Sequence, residues 1–132
     1  MRKKKISKKK IIEMEIQKTG KLFSFCCAAP AIIKKKDNKE IKFFENIGSN
    51  IGLLFQIADD LIDFKGKSKI AGKKTGKDQK KGKATLINLL GYSNAIKYCD
   101  KIILDINKNL KKYGQSSKNI KKTLDYILYR DK

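Results

Sequence analysis

Phe44, Ile47, Ile51, Leu54, Ala58, Leu61 and Ile62 recur at spacings of three and four residues. Only a helix puts such a series on one side, so a long amphipathic helix is predicted from about Asn38 to Phe64. The rest of the chain offers little else. There is one proline, Pro30, and strand-like alternation is scarce. The fold class expected is therefore all-α.

Shorter helices are predicted on either side. Residues 7–18 place Ile11, Ile12 and Ile16 on one side. A second segment, about 21–34, is rich in Phe, Cys and Ala, and its small residues suit close packing. Pro30 should kink or end it. Asp37, with Glu40 three residues on, resembles a capping box opening the long helix. Residues 84–90 form a short helix stopping at Gly91, and 93–112 and 117–129 form two amphipathic helices separated at Gly114. Residues 65–83 hold nine lysines and four glycines without a convincing period, and are expected to be a loop. No internal repeat is found. The 132 residues suit one domain.

Composition narrows the partners. Lysine and arginine total 33 against 13 acids, a formal charge of +20. Such a balance favours polyanions, whether nucleic acid, acidic membrane or phosphorylated small molecules. Arginine, the residue of forked guanine contacts, occurs only at Arg2 and Arg130, which argues against base-specific readout. Abundant lysine, isoleucine and asparagine also fit simple compositional drift. The absence of histidine excludes a histidine base or ligand. Cys26, Cys27 and Cys99 have neither zinc spacing nor a disulfide framework. No apolar run is long enough for a membrane span. Met1 to Lys10 is basic without an apolar signal core, so a cytoplasmic location is expected.

The chemistry concentrates at the end of the long helix. Asp59 and Asp63 lie four apart on one face, Asp60 sits beside them, and Gln56 lies one turn earlier. Three like charges within a turn repel. With the helix expected to end at Phe64, the macrodipole would disfavour them further. A hard divalent cation would offset both, since Mg²⁺ takes one or two carboxylates plus substrate phosphates. A solvated acidic face paired with Lys65, Lys67 and Lys69 is the alternative. Gly48 and Gly52 on the same helix leave room for a bulky ligand or for another helix. Downstream, Gly72-Lys73 and Gly82-Lys83 could approach and neutralise phosphate, although the spacing is not that of a Walker loop.

Lys18-Thr19-Gly20, then Gly52 to Asp63, then Gly72-Lys73, Gly76, Asp78 and Gly82-Lys83 together resemble the C-terminal half of a trans-isoprenyl diphosphate synthase. This is the polyprenyl synthetase family, and the bacterial farnesyl and geranylgeranyl diphosphate synthases are the most similar. The resemblance covers nearly the whole chain, so residues 1–132 read as one C-terminal portion of that domain, with 1–10 a basic start. It implies a helical bundle around a deep cavity. The implied reaction is Mg²⁺-dependent head-to-tail condensation of an allylic diphosphate with isopentenyl diphosphate. Asp59, Asp60 and Asp63 would be the second aspartate-rich motif, with Asp59 a direct Mg²⁺ ligand. Lys18, Lys73 and Lys83 would bind diphosphate, and Thr19 and Gln56 would line the reacting centre.

The sequence also departs from the family. A first aspartate-rich motif with its arginine pair is not found before Lys18. Lys67 stands where an aspartate is common, and Leu86-Ile87 where Tyr-Pro is common. The chain is thus expected to work as a homo-oligomer or with a chain carrying the N-terminal half, and to expose apolar helix faces. The alternatives are a non-catalytic fragment or regulatory subunit that binds diphosphate or partner helices, and nonspecific polyanion binding through the lysines.

Overall fold

The computed structural model describes residues 5–71 and 85–130. Every regular element among them is helical. Helix α1 spans Lys8–Glu15 and runs through a π-helical turn, Ile16–Gly20, into α2, Lys21–Ile33. Helix α3 spans Asn38–Ala71, α4 Leu86–Leu90, α5 Tyr92–Leu110 and α6 Lys118–Tyr129, with a 3₁₀ segment at Lys111–Ser117.

Local chemistry explains the boundaries. Ser7 Oγ accepts from the Lys10 amide at 3.3 Å and starts α1. Asp37 Oδ1 accepts from the Glu40 amide at 2.8 Å and starts α3. The box is only half closed: the Glu40 carboxylate sits 4.0 Å from Lys36 Nζ and accepts from the Tyr113 hydroxyl at 3.5 Å. Pro30 lies inside α2, where it cannot donate to the Cys26 carbonyl four residues back, yet the helix runs on past it to Ile33. Gly114, at φ 53° and ψ −129°, separates α5 from α6 in a region that suits glycine.

Helix α3 is longer than the sequence suggests. The stretch expected to be a loop from Lys65 is helical as far as Ala71. Its lysines are exposed, and Phe64 stacks on Tyr92 of α5 with centroids 5.8 Å apart, which holds that turn down. The aspartates therefore lie more than two turns inside the helix. The macrodipole acts only within a terminal turn, so it does not disfavour them.

The apolar side of α3 is the spine of the core. Ile47, Ile51, Leu54, Ile57, Ala58 and Leu61 are buried against Ile11, Leu86, Ile87, Ala95, Cys99, Ile102, Ile106, Leu110, Leu124 and Ile127. On another side α2 lies unusually close to α3. A Cβ on Gly48 would stand 2.3 Å from the Phe23 carbonyl oxygen, and one on Gly52 2.6 Å from the Gly20 Cα. These glycines admit a helix, which rules out the reading that they leave room for a ligand. The outer side of α2 is uncovered: Leu22, Phe25 and Ile33 are 66%, 65% and 80% exposed.

Candidate functional site

The Gly20–Gly52 contact fixes where α2 begins on α3, about two turns before the aspartates. There the π-helical turn carries Lys18 and Thr19, and the Lys21 amide closes it by bonding to the Ile16 carbonyl. One extra residue in the turn widens it, a form concentrated at functional sites. Thr19 Oγ1 donates to Gln56 Oε1 at 3.0 Å. Two residues from separate sequence motifs thus meet across the α2–α3 junction.

The three aspartates have three different surroundings. Asp59 pairs with the Arg130 guanidinium, which also lies over the Phe55 ring at 5.2 Å. Asp60 is half-buried and faces Glu15, with Lys18 near both. Asp63 is exposed. Burial, and then the charge of Asp60, push Glu15 up to about 7, against a smaller pull from Lys18. Burial also raises Asp60, and Lys18 offsets part of that rise. A side-chain hydrogen bond between Glu15 and Asp60 raises Glu15 further and lowers Asp60.

The expected cluster of three metal-binding carboxylates is therefore split, and among the described residues no such group of three is gathered. The donors still suit a hard divalent cation. Asp59 and Asp63 are hard oxygen ligands one turn apart on one face, and Mg²⁺ commonly needs only one or two protein carboxylates. Lys18, Thr19, Gln56 and Asp59 all lie on or beside this face. Lys73 and Lys83, with Gly72, Gly76, Asp78 and Gly82, lie outside the described residues.

Two residues had escaped the sequence reading. Glu15 precedes Lys18 by three, a neighbouring position on a helix, and that spacing was a usable signal. Arg130 is separated from Asp59 by 71 residues, and no local pattern joins them. Its rarity in a lysine-rich chain was the only hint.

An all-α bundle with a carboxylate face beside a lysine-bearing turn defines a narrow class. A profile described as "Polyprenyl synthetase" matches residues 1–127, and the chain belongs to that family. It is 31% identical over 119 residues to a farnesyl diphosphate synthase of Micrococcus luteus, covering 90% of this chain and 41% of that protein. It is 33% identical over 100 residues to the farnesyl diphosphate synthase of Escherichia coli K12, covering 74% and 33%. A solved geranyltranstransferase of Thermotoga maritima superposes with a TM-score of 0.67 at 29% identity, covering 94% of this chain and 43% of that one. The chain spans about two fifths or less of the length of these relatives.

Proposed function

We propose that this chain supplies the second-aspartate-motif side of a Mg²⁺-dependent prenyltransferase that condenses an allylic diphosphate with isopentenyl diphosphate. The observation that carries this reading is the Thr19–Gln56 hydrogen bond, which ties the Lys18-Thr19 turn to the aspartate face. Bound Mg²⁺ would draw charge from the departing diphosphate. Asp59 and Asp63 are the residues to hold it, with Asp60 beside them. Lys18, Lys73 and Lys83 bind the diphosphate and neutralise its remaining charge. Thr19 and Gln56, fixed by their mutual bond, line the reacting centre. This chemistry needs electrostatic stabilisation of a leaving group and no protein nucleophile, which fits a chain without histidine.

The reading includes an N-terminal portion like that of the relatives, on this or another chain, to face the aspartates, and it includes a homo-oligomer or such a mixed assembly. No helix among the described residues is long and apolar enough to cross a membrane, and we place the reaction in the cytoplasm. The experiment is a product assay with both diphosphates and Mg²⁺, for this chain alone and mixed with the N-terminal portion of a bacterial farnesyl diphosphate synthase. Little product alone and restored product in the mixture is expected. Robust turnover by the chain alone contradicts the half-site reading. The pairing of Asp59 with Arg130 favours a second reading, a non-catalytic subunit, which restored turnover would remove.

A further inference from the structure

Along α6 the residues facing α3 recur every third position: Leu124 and Ile127 are buried, and the next position on that face is Arg130. The hydrophobic ladder thus ends by delivering a guanidinium onto the carboxylate face. Arg130 is 20% exposed and Asp59 41%, so the pair is partly shielded from solvent. Phe55 supports the flat guanidinium from beneath. Arg130 lies just past the end of α6, so it can leave Asp59 without breaking the helix.

Asp59 stands one helical turn from the like charge of Asp63, and here the protein provides its own positive partner. A divalent cation reaching Asp59 must displace that partner. A diphosphate arriving with the cation brings new acceptors for the released guanidinium, whose fork matches phosphate oxygens. We propose that Arg130 is a resident counter-cation that holds Asp59 until metal and diphosphate arrive together, and then binds the diphosphate. This rests on the reading that Asp59 takes a divalent cation. Its consequence is a site that resists metal alone and accepts metal with diphosphate.

The test measures Mn²⁺ binding by electron paramagnetic resonance, with and without inorganic pyrophosphate, and pyrophosphate binding by calorimetry in Mn²⁺. The proteins are the 132-residue chain, Arg130→Gln, which keeps a stem over Phe55, Arg130→Ala and Asp59→Asn. In both Arg130 variants Mn²⁺ alone should bind about tenfold more tightly, and pyrophosphate in Mn²⁺ about tenfold more weakly, as loss of a charge-assisted bond implies. A purely structural role moves both affinities the same way or neither, and either result overturns the proposal. If Asp59→Asn abolishes Mn²⁺ binding while Arg130→Gln changes nothing, only the proposal falls. If Asp59→Asn leaves Mn²⁺ binding intact, the reading beneath it falls as well.

Discussion

Glu15 and Asp60 set two carboxyl groups against each other at the α1–α3 contact, and burial holds Glu15 near pH 7 rather than its ordinary 4.5 or so. Between those values the folded chain keeps a proton that the unfolded chain has released. Stability attached to Glu15 is therefore fully present below about pH 4.5 and is lost as pH rises through about 7. Glu15→Gln should flatten that dependence. Thermal melts from pH 5 to 8 should show the variant gaining on the native chain, by on the order of 2 kcal/mol at the alkaline end. Parallel curves would mean that Glu15 is not the titrating group.

Gly48 and Gly52 should tolerate no side chain. Alanine at Gly48 would drive a methyl into the Phe23 backbone, where no rotamer change relieves it. Gly48→Ala and Gly52→Ala should each cost about 1–3 kcal/mol or more in urea denaturation. Gly66, where an added methyl would meet nothing within 4 Å, is the control. Gly66→Ala should be neutral or stabilise α3 by up to about 1 kcal/mol.

Thr19→Val removes the donor to Gln56 while keeping the shape of the side chain. The loss should be about 1 kcal/mol of stability. Under the proposed function it should also loosen pyrophosphate binding in Mn²⁺, because Lys18 sits in the same turn. Unchanged binding by calorimetry would separate Thr19 from the site.

The exposed residues of α2 should make the chain associate. Leu22→Gln with Phe25→Gln should reduce concentration-dependent association in sedimentation velocity, with stability altered by only about 0.5 kcal/mol for each substitution. Persistent association in the double variant would place the sticky surface elsewhere.

The three cysteines should separate by reactivity. Cys26 is exposed, whereas Cys99 is buried and its thiol is pushed up to about 12. A thiol reagent should label Cys26 in the folded chain and Cys99 only after unfolding. Labelling of Cys99 at native rates would show that α5 opens.

The sequence readily displayed the elements whose signals are local. Helical spacing from Phe44 to Ile62, the cap at Asp37 and the break at Gly114 all depend on neighbours within a few residues. Lys65 to Ala71 misled because an exposed helical turn can be built from lysine and glycine when an aromatic contact, Phe64 on Tyr92, anchors it from another element. The site divided in the same way. Lys18, Thr19, Gln56 and the aspartates were visible as spaced motifs, but their pairing was not. Whether Asp59 meets a metal, a lysine or Arg130 depends on how α6 docks on α3, and that is settled by packing around Leu124 and Ile127.

The continuity of α3 beyond Asp63 also has a consequence for the spacing of the motifs. Each residue between Asp63 and Ala71 turns the helix by about 100°, so this stretch sets the compass bearing of Ala71 around the helix relative to the aspartates. Deleting one residue there would leave the aspartates and the core in place yet swing Ala71 to another side of the helix. Removing seven would nearly restore the bearing while shortening the reach by about 10 Å. The intervening lysines and glycine thus act as a phase-setting spacer, in which length matters more than the identity of any side chain.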